Sequence, residues 1–339
     1  MTHNKKQLPL FVDNTILPTG KFHVSYSEIY DHLSCSHRHK LKHIDKLGTF
    51  TGSLHTEFGT AIHDTLEEFI RGEIKITEEV ITGAQTKFRE QCVRLNKEAA
   101  GRVPPGELIS AKDIEDFASQ MPDMLNQVPG FLDVQFPGWS GFAAEMNIFE
   151  SIDGQVNKHF KGFIDAVIQV PRKPRKASAP SKGTGNRSIM RVSSLRLTEP
   201  AKGLLEEGEE SEVEPDIKIS PLGEKYDYWI IDHKTCSWGW DASKKRDYQK
   251  QLQLMLYKHF FCKMFNLNLD RVKCGFLLLK RTPRKGGERC ELVKVSVGPK
   301  SQAKAVNTIH TMLNSVMSGR VLKNRNSCRF CEFHNNICR

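Results

Sequence analysis

Two kinds of hydrophobic pattern alternate along the chain. Apolar runs rich in aromatic and β-branched residues predict strands at residues 142–149, 160–170, 228–235, 272–280 and 291–297. Apolar residues that recur every three or four positions predict amphipathic helices at residues 25–35, 58–69, 75–135, 244–265 and 301–317. Strands and helices that follow one another in this way predict an α/β fold.

The strand predicted at residues 228–235 reads Tyr-Trp-Ile-Ile-Asp-His-Lys-Thr, so an apolar run ends on charged residues. Because side chains alternate between the two faces of a strand, Asp232 and Lys234 emerge on the same face. A carboxylate there can hold a divalent ion, and the lysine beside it can position or polarise the attacking water. The same spacing also occurs in ordinary surface ion pairs, so the flanking chain must decide between the two interpretations.

Two further acids lie on the preceding pair of predicted strands. Asp165 is the single acid inside the apolar run 162–168. A carboxylate in a buried strand is costly unless it is paired or binds a metal ion, so Asp165 is predicted as a metal ligand. Glu145, on the neighbouring strand, is a second candidate.

Two predicted helices carry polar residues beside their apolar faces. His63 lies at the border of the helix 58–69, where a histidine most often has only a structural role. Gly59, just before it, would let the helix start approach a phosphate or a metal ion closely. In the helix 244–265, Gln253 and Tyr257 lie four residues apart on one face. Such a pair either binds a phosphate or a catalytic group, or is only the polar border of the helix.

The C-terminal stretch contains Cys328, Cys331 and Cys338, a density typical of metal ligands. Three thiolates need a fourth ligand to complete a tetrahedral site or an iron–sulfur cubane. His334 as the fourth ligand would give a self-contained zinc site. Cys35, at the end of the first predicted helix, would instead fasten that helix to the C-terminal stretch.

Two segments are predicted to lie outside the packed fold. Residues 1–20 have the composition of a flexible arm. Residues 171–222 join a basic half rich in proline, serine and glycine to an acidic half, and neither buries enough apolar surface to become ordered. We therefore predict one domain over residues 21–339, with a disordered insertion at 171–222 and a cysteine tail at 320–339.

The chain is basic, with 339 residues, a net charge of +10 and a pI of about 9.1. This charge favours a polyanionic partner such as nucleic acid. Nine cysteines without an evident secretory signal favour metal ligation over a disulfide framework. No apolar run approaches the roughly 20 residues that cross a bilayer. We expect an intracellular protein of the cytoplasm or nucleoid, without a membrane partner.

Together these motifs resemble the RecB-like branch of the PD-(D/E)XK nucleases that carries an iron–sulfur cluster, a branch that includes CRISPR-associated and phage exonucleases. The matching segments, in the family's order, are residues 59–63, 162–165, 231–235 and 253–257, flanked by one cysteine before and three after. The resemblance implies a restriction-endonuclease-like fold with a mixed central sheet flanked by helices. It also implies a C-terminal cysteine cluster that closes onto the N-terminal helix.

The resemblance assigns a catalytic role to each matching polar residue. His63, Asp165 and Asp232 would bind Mg²⁺ or Mn²⁺, together with the backbone carbonyl of His233. Lys234 would orient the water and stabilise the charge that develops on the phosphate. These assignments imply a metal centre formed by the helix 58–69 and the two predicted strands that carry Asp165 and Asp232.

Two further sets of residues complete the site that the resemblance implies. Gln253 and Tyr257 would finish the catalytic site and touch the substrate backbone. A [4Fe–4S] cluster, with zinc as the alternative metal, would be held by Cys35, Cys328, Cys331 and Cys338.

We therefore expect a metal-dependent DNA exonuclease that acts on DNA ends, prefers single strands and serves recombination, repair or replication. No G-x-x-x-x-G-K-[ST] phosphate loop is present, so any unwinding would need a helicase or recombination partner. The alternative is a non-cleaving module that holds DNA ends in a recombination or integration complex. Its signature would be a missing acid or lysine, and Asp165, Asp232 and Lys234 are all present.

Overall fold

A mixed β-sheet forms the centre of the molecule. The structure is a computed structural model that describes residues 16–48, 52–101, 107–172, 222, 225–284, 286–334 and 337–338. The strands within these ranges are β1 (His23–Ser25), β2 (Ser140–Ser151), β3 (His159–Pro171), β4 (Tyr226–Cys236), β5 (Val272–Lys280) and β6 (Cys290–Val295).

The pairing of the strands leaves a gap at the middle of β3. One edge of β3 pairs antiparallel with β2, while the other edge pairs with β1 at residues 159–161 and with β4 at residues 166–171. β5 follows β4 in parallel and β6 follows β5 in antiparallel orientation, so the sheet is mixed as predicted. Asp165 lies at the gap, where β3 has passed β1 and has not yet joined β4.

Helices cover both faces of this sheet, which confirms the predicted restriction-endonuclease-like α/β architecture. Within the described ranges they are α1 (Tyr26–Ser34), α2 (Ser36–His39), α3 (Leu54–Arg71), α4 (Glu78–Ala100), α5 (Ala111–Ala118), α6 (Met121–Leu125), α7 (Gln127–Gln135), α8 (Ala242–Arg246), α9 (Tyr248–Met264) and α10 (Pro299–Met317). A single π-turn, Lys40–Ile44, continues α2. Short 3₁₀ turns occur at Leu269–Arg271 and Arg325–Phe330.

The long helix predicted at residues 244–265 is two helices in the structure. Asp247 adopts an extended conformation (φ −60°, ψ 114°) between α8 and α9, and its side chain accepts a hydrogen bond from the Gln249 N–H. Aspartate is a favourable N-cap because its carboxylate satisfies an amide that the first turn leaves free. The break turns α8 away from α9, and both helices then border the same groove beside Lys234.

The two faces of the sheet have separate apolar cores. α9 packs Leu252, Leu256 and Phe260 on one face, together with Ile230 of β4. α3 packs on the other face, where its buried residues Ile62, Leu66 and Ile70 share a core with Ile231. Burying an apolar side chain of this size contributes about 1.5–3 kcal/mol, so both helices are held firmly over the ends of β3 and β4.

A close approach fixes the position of α3 across the sheet. Gly141 of β2 has no room for a side chain, since an added Cβ would lie 1.7 Å from the carbonyl oxygen of Ile70. At the other end of the helix, Gly59 faces the Thr235 hydroxyl of β4, 3.6 Å from an added Cβ. α3 therefore crosses from the start of β2 to the end of β4 and passes over Asp165 on the way.

The segments predicted outside the fold are described in part. Residues 16–20 of the predicted arm pack against the domain, with Leu17 2% exposed in the core and the Thr19 carbonyl bonded to Lys46. The predicted insertion at 171–222 lies outside the described residues, apart from residues 171, 172 and 222. Its two ends meet, because the Arg172 N–H donates to the Lys225 carbonyl at 2.8 Å.

Candidate metal centre and substrate groove

Asp165 is held between a helix and a strand. Its Oδ2 accepts a hydrogen bond from the backbone N–H of His233 at 2.8 Å and lies 3.4 Å from Nδ1 of His63 on α3. The Asp165 side chain is 14% exposed and that of His63 is 27% exposed, so both remain reachable from solvent. The carboxylate lies at the gap where β3 pairs with neither β1 nor β4.

Three side chains offer ligand atoms within 4.8 Å of one another: His63, Asp165 and His233. The His233 ring is 1% exposed, and its Nδ1 has no hydrogen-bond partner among the described residues. Burial lowers the pKa of His233 to about 3 and also lowers that of His63, so both rings are neutral at physiological pH. Two neutral imidazoles and one carboxylate suit a divalent metal ion, and the orphaned nitrogen of His233 fits such a role.

This group differs from the set that the sequence motif implies. We expected His233 to contribute its backbone carbonyl, but the structure brings its imidazole ring to the group, edge-on to the ring of His63 at 5.6 Å. Asp232 is not part of this group of three, but its buried Oδ1 lacks a hydrogen-bond partner among the described residues, so its role as a metal ligand stays a prediction. Side chains alternate along β4, so His233 points toward α3 while Asp232 points to the face covered by α9.

Asp232 and Lys234 form an ion pair on that second face. The Lys234 Nζ lies 2.6 Å from Oδ2 of Asp232, whose side chain is fully buried, while the lysine side chain is 36% exposed. Burial raises the pKa of Asp232, and the ammonium opposes that shift. Burial would lower the pKa of Lys234, but attraction to Asp232 and Asp165 outweighs it and raises the pKa. Because a buried carboxylate is costly without a cation, we take the pair as ionised.

Gln253 and Tyr257 lie above this ion pair on α9. The Gln253 side-chain amide donates to the Tyr257 hydroxyl at 3.2 Å. Gly162 of β3 makes room for the ring, since an added Cβ would lie 2.7 Å from Cε1 of Tyr257. Burial, reinforced by the charge of Asp232, raises the pKa of Tyr257, so the side chain remains a protonated phenol. The structure therefore brings both predicted residues to the catalytic strands.

Glu145 lies beside Asp165 with an unusual backbone. The pairs Ala144–Ala166 and Met146–Ile164 flank it, which places Glu145 opposite Asp165. Its φ of +48° is in the left-handed region, which a residue with a side chain rarely adopts and which often occurs at functional sites. Burial and then Asp165 raise its pKa, so the carboxyl group tends toward the protonated form.

Sequence reasoning missed Glu67, which joins this acidic pair from α3. Burial raises its pKa to about 7, and Glu145 and Asp64 add to the shift. The position could have been found, because Glu67 follows His63 by four residues and so lies on the same helix face. The Arg71 guanidinium, 3.2 Å from Glu67, already balances part of the negative charge of this cluster.

A basic groove of about 460 Å³ opens beside Lys234. It lies between α1 on one side and α8 and α9 on the other. Its lining combines cationic with aromatic side chains: Arg38, Lys42, Lys244 and Lys250 with Tyr26, Tyr30 and Trp240. The acid in the lining, Asp31, is neutralised by Lys42 at 2.9 Å and Arg38 at 3.4 Å. Cations and aromatic rings in one groove are typical of sites for single-stranded nucleic acid.

The predicted cysteines line a second cavity, of about 390 Å³, between the N-terminal helices and the C-terminal stretch. Cys35, Cys328, Cys331, Cys338 and the alternative ligand His334 all contribute to its wall. His37, which the sequence analysis did not single out, joins them, with its Nδ1 3.5 Å from the Cys338 sulfur.

Hydrogen bonds within the protein join the N-terminal helices to the C-terminal stretch at this cavity. The Ser36 hydroxyl donates to the Leu322 carbonyl at 3.0 Å, and the Asn324 side chain donates to the Ser34 carbonyl at 2.9 Å. The C-terminal stretch therefore closes onto the N-terminal helices, as predicted.

The sheet topology and the site agree with a comparison against protein families. The PD-(D/E)XK nuclease superfamily matches residues 23–176 and 216–339, and the chain belongs to this superfamily. Membership implies a nuclease whose substrate is DNA. A search of curated proteins finds no match. Among the described residues, no helix combines the length and the apolar character needed to span a membrane.

Proposed function

We propose that this chain is a metal-dependent DNA exonuclease of the RecB-like branch, which degrades single strands from their ends. The observation that carries the proposal is the meeting of His63, Asp165 and the His233 ring beside the Asp232–Lys234 pair. Metal ligands and a lysine brought together by two neighbouring strands are what metal-assisted phosphodiester hydrolysis requires. The exonuclease mode and the branch rest on the motif resemblance.

The residues at this centre have distinct tasks. Mg²⁺ or Mn²⁺, held by His63, Asp165 and the His233 ring, would supply Lewis-acid stabilisation of the charge that develops on the phosphate. Lys234 keeps its proton because its pKa is raised, so it donates to the water or phosphate instead of acting as a base. Asp232 holds the lysine in place at 2.6 Å.

The groove beside Lys234 supports a single strand as the substrate. Lys244 and Lys250, which lie outside the Asp31 cluster, can contact the sugar–phosphate backbone, and the partly exposed rings of Tyr26 and Tyr30 can stack on bases that a duplex would keep paired. The groove begins at Lys234, so a strand lying in it brings a phosphate to the catalytic pair. A helicase or recombination partner remains a prediction from the missing phosphate loop.

The decisive assay follows end-labelled single-stranded DNA with Mg²⁺ or Mn²⁺. We expect wild type to degrade it, and we expect Lys234→Ala or a chelator to abolish the reaction, with the position of the label giving the polarity. Lys294→Ala is the matched control, because Lys294 is exposed near Trp229, away from the site. Tight binding without cleavage, unchanged in Lys234→Ala, would indicate the non-cleaving end-binding module instead.

We further propose that the cysteine-lined cavity holds a [4Fe–4S] cluster through Cys35, Cys328, Cys331 and Cys338. A single zinc ion, at about 2.3 Å from each sulfur, needs its ligand atoms within about 4 Å of one another. Within the described residues, these thiols form no group of three within 4.8 Å, although all of them line one cavity. The spacing of the thiols therefore favours a cluster such as [4Fe–4S] over a single zinc ion.

Metal analysis of anaerobically purified protein tests this second proposal. We expect a brown protein with several iron atoms per chain, and a colourless Cys328→Ser variant. Comparing Cys35→Ser with His334→Ala identifies the fourth ligand, since only the true ligand variant should lose colour. One zinc ion per chain without iron would overturn the cluster.

A further inference from the structure

An uncovered aromatic surface extends from the catalytic acids along β2 and β3. On the face crossed by α3, cross-strand pairs place Asn147 beside Phe163, Phe149 beside Lys161 and Ser151 beside His159. The opposite side chains of the same strands, such as Met146, Ile148 and Ile164, lie in the α9 core. At this part of β2 and β3, one face of the sheet is therefore packed against α9 and the other carries the aromatic surface.

Two phenylalanines are exposed on this surface. Phe163 is 41% exposed and Phe149 is 44% exposed. α3 covers the sheet from Gly141 to the Glu145–Asp165 pair, and no described element covers the strands beyond that point. Two large rings left in solvent on adjacent strands are unusual for a sheet face and mark a surface that binds a partner.

Basic and imidazole groups surround the two rings. The Lys161 ammonium lies 5.8 Å from the centre of the Phe163 ring. The His159 ring stacks on Phe149, with centroids 4.6 Å apart and planes within 10°. His23 of β1 meets Phe149 edge-on at 5.8 Å. Flat rings beside a cation suit unpaired bases linked by phosphates.

The spacing along β3 also fits a single strand. Phe163 and Asp165 share a face and are two residues apart, so they are separated by roughly 7 Å, and Lys161 follows after a similar step. Stacked nucleotides in a duplex advance by about 3.4 Å, roughly half of this step. Bases can therefore meet these side chains in turn only if they are unstacked from one another.

We infer that the surface formed by Phe149, His159, Lys161 and Phe163 is a base-stacking platform for single-stranded nucleic acid. It lies on the face crossed by α3 and leads along β3 to Asp165, whereas the Lys234 groove lies on the face covered by α9. This inference rests on the proposed function, because the strand that it holds is the one that crosses the metal centre. The groove contacts the backbone on one side of the scissile phosphate, and the platform stacks bases on the other.

Binding measured in chelator separates this inference from cleavage. The probe is a fluorescent single strand of about 12 nucleotides, compared with an abasic strand of the same length and with a duplex. We expect Phe149→Ala/Phe163→Ala to weaken binding of the normal strand by roughly tenfold or more. Binding of the abasic strand and of the duplex should change little.

Three variants show whether an aromatic ring is what the strand requires. Phe163→Tyr should keep wild-type affinity, whereas Phe163→Leu, which retains apolar area, should lose it. Val134→Ala, which removes an apolar side chain 75% exposed on α7, is the matched control and should bind like wild type.

The outcomes distinguish the two proposals. If wild type cleaves DNA but the double variant binds the strand as tightly as wild type, the platform is wrong and the nuclease stands. If the double variant loses base-dependent binding while wild type itself does not cleave DNA, the platform stands and the nuclease proposal fails. If the double variant instead changes only self-association in sedimentation, a second copy of the chain covers the face and the platform is overturned.

Discussion

The candidate metal centre and the cysteine-lined cavity differ both in their ligand types and in how they are built. The catalytic ligands come from the middle of a sheet and from the helix packed on it, and their atoms already lie within 4.8 Å of one another. The cysteines come from two distant parts of the chain, are partly exposed and lie farther apart. The first site is positioned by the sheet and the helix packed on it, whereas the second is held together by hydrogen bonds between two stretches that are distant in sequence.

Asp165→Asn should have the largest effect, and on catalysis alone. An amide oxygen can still accept the His233 N–H bond, but the negative charge for the metal ion is lost. We expect the cleavage rate to fall on the order of a thousandfold. Thermal stability should stay level or rise, because the neighbouring Glu145 loses a repulsive charge. Activity within tenfold of wild type would contradict the role of Asp165.

Cys328→Ser should show the reverse pattern. Loss of a ligand to a bound group is among the few single changes that cost about 4 kcal/mol or more, so we expect a lower melting temperature and a poorer folded yield. Cleavage per folded molecule should stay within a few-fold of wild type. Cys236→Ser, a half-buried cysteine that belongs to neither site, is the control. If Cys328→Ser and Cys236→Ser were equally stable, Cys328 would not be a ligand to a stabilising bound group.

Gly162→Ala tests how tightly the fold positions the catalytic helix. The added methyl group would lie 2.7 Å from the Tyr257 ring, so the ring or β3 must move. We expect a loss of about 1–3 kcal/mol in the free energy of unfolding. The cleavage rate should drop roughly tenfold, the effect of 1.4 kcal/mol on the barrier.

Gly130→Ala is the control for that substitution, since nothing lies within 4 Å of its added Cβ on the exposed side of α7. It should stabilise the protein by about 0.4–1 kcal/mol and leave cleavage unchanged. Equal behaviour of the two alanine variants would show that Tyr257 does not depend on Gly162.

His32→Phe should have the smallest effect, and only in acid. Burial and then His39 lower the pKa of His32 from 6.5 to about 4. The folded state therefore binds fewer protons than the unfolded state between these values. The stability contributed by the neutral ring is complete above pH 6.5 and is lost as the pH falls toward 4, by at most about 3 kcal/mol. Urea unfolding at pH 6.5 and at pH 4 should show a smaller loss in the free energy of unfolding for His32→Phe than for wild type.

Much of the fold follows from local patterns in the sequence. The apolar run through Ile230 and Ile231 predicts β4, and the alternation rule predicts the contact that Asp232 and Lys234 make. The single acid in the run at 162–168 marks Asp165 for the same reason. The strand and the ion pair were predictable because the alternation of side chains along a strand depends only on neighbouring residues, while the role of Asp165 as a metal ligand stays a prediction.

Other parts of the site depend on how elements meet in space. The ring of His233 reaches His63 only because α3 crosses β4 at Thr235, which no local pattern indicates. The exposure of Phe163 depends on where α3 ends, since its apolar character alone predicts burial. The break at Asp247 was not predicted, although aspartate is a favoured N-cap residue and starts α9 here.

Direct titration of Mn²⁺ by calorimetry tests the central claim, that the fold presents a ready-made metal site where the middle of β3 meets α3 and the end of β4. We predict binding to wild type that is strongly weakened in His63→Ala and in Asp165→Asn. Asp153→Asn should leave it intact, because Asp153 is an exposed acid paired with Lys263. Undiminished Mn²⁺ binding in both site variants would contradict the account.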